Sequence, residues 1–201
     1  MKIFLIRHGE TNKNIGNKLH ERYDTESLNE TGKGQITKTG KALQKYKISR
    51  IFCSKEIRAI KSANVLSDIL NIPIIPIDGF EERNWGIYAN RPWSEVKKVL
   101  EPLTLKERFL YEPPQGESWK TTEERLVDAL NNSIRQANGE NIAIVTHGST
   151  IRILMPYLLG VSREESFKYD PDNASITEFK YEGSTFINIR VDDTSHLKDP
   201  H

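Results

Sequence analysis

Residues 2–10 read KIFLIRHGE, an apolar run from Ile3 to Ile6 that ends directly on Arg7, His8, Gly9 and Glu10. Such a run reads as a short strand. Strands ordinarily give way to bland turn residues. A cation, an imidazole, a glycine and a carboxylate in that place look like chemistry at a strand tip.

The pattern recurs along the chain. "RIFC" (50–53) reads as a second strand and is followed by Ser54 and Arg58. "IPIIPI" (72–77) is extended, and its two prolines suit an edge or irregular pairing; Glu81, Glu82 and Arg83 come next. "NIAIVTH" (141–147) is the strongest strand signal, and a helix-like run follows it from Gly148 to Leu159. Between the strands, Ile57, Ile60, Ala63, Leu66, Ile69 and Leu70 form an amphipathic stripe. Ile36, Leu43 and Tyr46 also recur near helical spacing, although glycines 32, 34 and 40 weigh against a helix there. "ASITEFKY" and "TFINIRV" read as two closing strands around "EGS". Alternation of this kind predicts an α/β fold: a three-layer sandwich with a mostly parallel central sheet and helices on both faces.

The length of 201 residues suits one domain spanning 1–201. Residues 84–115 break the rhythm with Trp85, Tyr88, Trp93, Phe109, Tyr111, Pro113 and Pro114, and are expected to form a lid or insertion. The polar tail 192–201 is expected to be loose. Lys+Arg number 29 against 28 Asp+Glu, so the net charge of +1 supports no general nucleic-acid or membrane surface. Any anion site must be local. Cys53 is the single cysteine, which excludes an intrachain disulfide and fits a reducing compartment. The first apolar run is too short for a signal peptide or a membrane span, and a cytoplasmic protein is expected.

In open parallel sheets, ligands bind outside the carboxyl ends of the strands. Here those ends deliver Arg7-His8, Ser54 and Arg58, Glu81-Glu82-Arg83, and His147-Gly148. Two histidines and a glutamate suit a metal, but Arg7 beside His8 disfavours a second cation, and no HxH or HExxH spacing occurs. Two arginines instead suit a tetrahedral dianion, which guanidinium groups grip in a bidentate way. Backbone N–H groups of Gly9 and Gly148 would add donors if these residues open helices. The expected ligand is a small phosphorylated metabolite, with no metal and no cofactor; a homodimer is left open.

A neutral imidazole is a competent nucleophile near neutral pH. Attack of His8 on phosphorus would give a phosphohistidine, splitting one hard step into two. Arg7, Arg58 and His147 can stabilise the transferring group. A carboxylic acid beside the anion has its pKa raised and can protonate the leaving oxygen; Glu82 is the candidate. Cysteine phosphatases wrap phosphate with C-x5-R, whereas only four residues separate Cys53 from Arg58, so Cys53 reads as a buried strand residue. No G-x-x-x-x-G-K-[ST] occurs either.

The motifs together resemble the histidine phosphatase superfamily, which includes the cofactor-dependent phosphoglycerate mutases. "LIRHGET" resembles its defining strand and loop, and "SLNETGKGQ" the opening of its first long helix. "IFCSKEIRAIKSA" is similar to its second-arginine motif, and "EERNWG" to its acid-bearing loop. "QGESW" and "IVTHGSTIRIL" match the later substrate loop and the second-histidine motif. The resemblance covers about residues 1–180. It implies that His8 is phosphorylated, that Arg7, Arg58 and His147 line the phosphate pocket, that Asn14 and the Gly148 N–H donate hydrogen bonds, and that Glu82 is the proton donor. Departures are His20-Glu21 where many members have Gln-Gly, Asn90 where many have glycine, and Ser62 where many have threonine. His20-Glu21 and Asn90 are expected to face the non-phosphate part of the substrate. Glu117 and Arg125 carry no independent chemical argument.

The expected function is metal-independent phosphomonoester hydrolysis, in keeping with a compact phosphatase branch. The alternatives are a phosphoglycerate mutase and a non-catalytic phosphate-binding module.

Overall fold

The computed structural model describes residues 1–198. It contains strands β1 (Lys2–Arg7), β2 (Ile48–Cys53), β3 (Ile74–Pro76), β4 (Asn141–Thr146), β5 (Ile176–Glu182) and β6 (Thr185–Asp193). The helices are α1 (Asn12–Ile15), α2 (Glu30–Leu43), α3 (Ile57–Leu70), α4 (Trp93–Leu100), α5 (Leu105–Leu110), α6 (Trp119–Ala137) and α7 (Gly148–Leu159). The strands form one sheet in the order β3-β2-β4-β1-β5-β6. The pairs β3–β2, β2–β4 and β4–β1 are parallel, and β5 and β6 close the sheet antiparallel.

Apolar runs become central strands because both sheet faces are covered. Ile3 and Leu5 pack with Phe52, Ile142 and Ile144 against Leu126 and Leu130 of α6 and Ile151 and Leu154 of α7. Phe4 and Ile6 point the other way, with Ile51, Cys53 and Val145, onto Ile36 of α2 and Ala63 and Leu66 of α3. Each fully buried side chain of this kind contributes about 1.5–3 kcal/mol. The result is the expected α/β arrangement of sheet and flanking helices. β3 is an edge strand, where Pro76 removes no ladder donor that a neighbour needs. β5 and β6 join through Gly183 and Ser184, at φ 54° and 70°, the conformation a two-residue hairpin requires.

Glycines 32 and 40 do not prevent α2; they are what lets it dock. A Cβ on Gly32 would lie 2.2 Å from the Glu10 carbonyl oxygen, and one on Gly40 would lie 2.7 Å from Ile69 Cδ1. The close approach of α2 to the loop after β1 and to α3 offsets a propensity cost of about 1 kcal/mol per glycine. Sequence periodicity did not assign α6, whose buried residues Trp119, Thr122, Leu126, Ala129, Leu130, Ser133 and Ala137 are interleaved with charges.

Residues 84–115 hold a short 3-10 turn (Gly86–Tyr88), α4 and α5. Residues 192–198 of the tail take up local structure. Asp192 and Asp193 belong to β6, and a 3-10 turn follows at Ser195–Leu197. The His196 ring there bonds the Thr39 hydroxyl and the Ala174 carbonyl. Residues 199–201 lie outside the described part. Among the described residues, no helix is long and apolar enough to cross a membrane.

The topology also places a crevice. After β1 the chain turns to α2 on one face; after the adjacent β4 it turns to α7 on the other. Arg7 and Thr146 are register partners at the two carboxyl ends, so a switch point opens just beyond them.

Candidate active site

A cavity of about 280 Å³ lies at this switch point, lined in part by Arg7, His8, Asn14, His20, Glu82 and Gly148. Arg58 and His147 are fully buried beside it. Five chain segments thus meet within one site.

His8 leaves β1 on a backbone bond to the Thr146 carbonyl, 2.9 Å, and its own carbonyl accepts from the Asn173 amide and the Ala174 N–H. Its ring Nδ1 lies 2.8 Å from the Gly9 carbonyl. A carbonyl only accepts, so Nδ1 carries the proton and Nε2 keeps the lone pair. Burial lowers the His8 pKa well below the usual imidazole value, and the nearby charges of Arg58, His147, Arg7 and His20 push it the same way. The ring is therefore held neutral.

Arg7 reaches back to the Pro171 carbonyl through Nη1, at 2.5 Å. Burial lowers its pKa, while Glu82, Asp170 and Asp172 oppose that shift. Gly148 permits this placement, since a Cβ there would stand 3.3 Å from Arg7 Nε. Gly148 also opens the twelve-residue helix α7, whose N-terminal N–H groups and dipole favour an anion. Gly9 does not share that role as expected: its N–H is engaged by Ser62 Oγ at 3.1 Å, and α1 begins only at Asn12.

Arg58 sits in the first turn of α3, a place where a cation is unfavourable unless it meets negative charge. Glu56 Oε2 lies 2.5 Å from its Nη2 and 3.0 Å from His147 Nε2. Asp24 Oδ1 is 3.7 Å from Arg58 Nη1. Arg58 Nε and Nη1 and His147 Nδ1 are buried without a hydrogen-bond partner. These are donor positions suited to a tetrahedral oxyanion. Burial alone would raise the Glu56 pKa, but His147 and Arg58 hold it down at about 2. Glu56 was not singled out in the sequence, where a glutamate before a helix reads as an ordinary dipole partner.

Glu82 lines the same cavity, with Oε1 accepting from the Arg83 N–H at 2.8 Å and Oε2 from the Ser149 N–H at 3.3 Å. Its neighbour Glu81 is turned away: it is 4% exposed and caps the Gly79 N–H. Arg125 and Glu117 fix this loop. Arg125 donates to the carbonyls of Gly79, Glu81 and Glu82 at 2.8, 2.9 and 3.1 Å. Glu117 accepts from Arg125, Arg22 and the Asn84 N–H. Burial opposes its ionisation, yet Arg125 and Arg22 keep its pKa at about 2. Their part depends on the packing of α6 against this loop, which no local sequence pattern shows.

Asn14 lines the cavity from α1, its Oδ1 accepting from Thr11 and Asn173. His20 also lines it, 6.0 Å from the His8 ring, with Nδ1 on Asp24 and Nε2 beside the Thr11 hydroxyl. Burial lowers the His20 pKa, opposed by its bond to Asp24. Glu21 is not brought to the cavity. It is exposed and accepts from Asn90 Nδ2 at 3.2 Å, so two of the departures bind each other on the rim. Ser62 is a structural bridge between Gly9 and the Arg58 carbonyl. Cys53 is buried in β2, and burial pushes its thiol up to about 12.

Residues 3–194 match the histidine phosphatase superfamily (branch 1). The chain belongs to that superfamily. It is 29% identical over 209 residues to a broad-specificity phosphatase of Saccharomyces cerevisiae, covering 99% of this chain and 88% of that one. It is 31% identical over 173 residues to a 2,3-bisphosphoglycerate-dependent phosphoglycerate mutase of Cytophaga hutchinsonii, covering 81% and 79%. The solved structure of Bacillus stearothermophilus YhfR shares the fold, with a TM-score of 0.86 at 24% identity over 98% of this chain and 99% of that chain. Within the matched residues, the ring centroids of His8 and His147 are 5.2 Å apart.

Proposed function

We propose that the protein hydrolyses a small phosphomonoester through a phosphohistidine on His8. The observation that carries this reading is the pairing of a neutral, tautomer-fixed His8 with Glu82 across a cavity lined with cations. His8 Nε2 attacks phosphorus, and the bond from phosphorus to the leaving oxygen breaks. Glu82 gives that oxygen its proton. Water then attacks the phosphohistidine, Glu82 takes the water's proton, and inorganic phosphate departs as the P–N bond breaks. Arg7, Arg58, the His147 ring and the Gly148 N–H match the charge on the equatorial oxygens, so the steps are written without a metal. Glu56 orients His147, as a carboxylate behind an imidazole does elsewhere.

A neighbouring family reading is isomerisation of a phosphoglycerate, as the name of the Cytophaga relative indicates. Incubation with 3-phosphoglycerate separates the two: hydrolysis releases free phosphate, and a mutase yields the 2-isomer. The hydrolase reading also requires that His8→Ala release no phosphate while its far-UV circular dichroism stays that of the parent. Normal turnover in that variant contradicts it. The single free, buried cysteine agrees with action in the cytoplasm.

A further inference from the structure

A second cavity, of about 200 Å³, adjoins the phosphate site and has aromatic and aliphatic walls: Trp85, Trp93, Leu100, Trp119, Ile153 and Phe167. The two cavities share Trp93, Ser149 and Arg152. Ser149 is the residue whose N–H bonds Glu82 Oε2, so the junction falls where the leaving oxygen must sit. A group attached to an oxygen that Glu82 protonates can enter this cavity through the shared residues.

The walls define what fits. Trp85 and Trp93 meet edge to face, with centroids 5.3 Å apart, and Trp119 packs against Phe167 at 5.1 Å. The cations at the edge are tethered by protein groups. Arg83 stacks on Trp85 at 4.1 Å and donates to the carbonyls of Glu117 and Tyr111. Arg108 donates to the carbonyls of Leu103 and Glu101, and Lys97 pairs with Glu101. Arg152 is held by the Tyr169 carbonyl and Asp170. Arg83 and Arg108 are tethered to backbone carbonyls at the rim, where a second anion would have to reach them, whereas a ring needs only the apolar walls. Apolar cavities of about 150 Å³ hold a benzene ring.

We infer that the leaving group carries a flat apolar ring, bound in this cavity between α4 and the body of the domain. The inference deepens the phosphatase reading and rests on it for the position of the leaving oxygen.

The test compares 2-phenylethyl phosphate, ethyl phosphate and phosphoserine on the full chain. The two simple alcohols leave with similar ease, so a difference between them reports the ring. The expected kcat/KM for the phenylethyl ester exceeds that for the ethyl ester by about tenfold to a hundredfold, mostly through KM. Leu100→Asp and Phe167→Ala, at half-buried and exposed positions, should each move that ratio toward one. Equal kcat/KM for the two esters, or a preference for phosphoserine, overturns the inference. If no ester is hydrolysed, the phosphatase reading fails, and calorimetry with 2-phenylethylphosphonate and ethylphosphonate decides the cavity separately. Binding of the first at least tenfold tighter supports the assignment, and equal binding overturns it.

Discussion

His8 stays neutral for two reasons, burial and surrounding positive charge, and both act on its acid–base behaviour in the same direction. A nucleophilic imidazole is lost only when it protonates. The acid limb of kcat/KM against pH should therefore fall well below pH 6.5, the value for a free histidine. A limb centred at or above that value would mean that His8 is not the group that titrates. The same depressed pKa bears on stability. In the range between the folded and unfolded values the unfolded chain binds more protons, so stability rises with pH and is lost as pH falls from about 6.5 through the folded value. Glu56 adds to this at lower pH, because its contribution is present above its unfolded value and disappears as pH approaches about 2. Gly148 makes a second case. Gly148→Ala places a methyl group 3.3 Å from Arg7 Nε, so the guanidinium must shift. Steady-state kinetics should show KM raised about tenfold, the value of one charge-assisted hydrogen bond, with the fold retained. An unchanged KM would show that Arg7 does not depend on this close approach. His8, Arg7, Arg58 and His147 were legible in the sequence because reactive residues at strand tips are unusual. Glu56 was not, because its role depends on the ring of a residue 91 positions away in the chain, His147 (147 minus 56).

Secondary-structure elements position these groups to different degrees of legibility. β1 and β4 were plain, since strands buried on both faces read as unbroken apolar runs. α2 was obscured by glycines whose purpose is tertiary: they admit Glu10 and Ile69, which no local pattern reveals. α6 was hidden by the charges between its buried positions, and with it went the reason for Arg125 and Glu117. That pair ties α6 to the loop of Glu82 through three carbonyls. Arg125→Ala should cost about 3 kcal/mol of stability, since it leaves Glu117 without its principal partner in a mostly buried place. It should also lower kcat for alkyl phosphates more than for p-nitrophenyl phosphate, whose leaving group needs little protonation. Thermal unfolding and the ratio of the two rates check both parts. Equal slowing of the two substrates would reduce Arg125 to a structural residue.

Across the molecule, the sheet order accounts for how distant segments converge. Chain connections leave β1 and β4 toward opposite faces, and the crevice between them is lined by Arg7, His8, Glu82 and Gly148. The sequence already implied that convergence through the carboxyl ends of parallel strands, but not which rim residues would stay outside; Glu21 illustrates the difference, as its partner is Asn90 rather than the cavity. The proposed hydrolysis depends on transfer of the phosphoryl group to one nitrogen. Rapid acid-free quenching with a 32P-labelled phosphomonoester, followed by peptide mapping, tests this directly. Phosphate that is stable to base, labile to acid and confined to the peptide bearing His8 is the predicted result. Full turnover with no label on the protein, or with label on His147 instead, would contradict it.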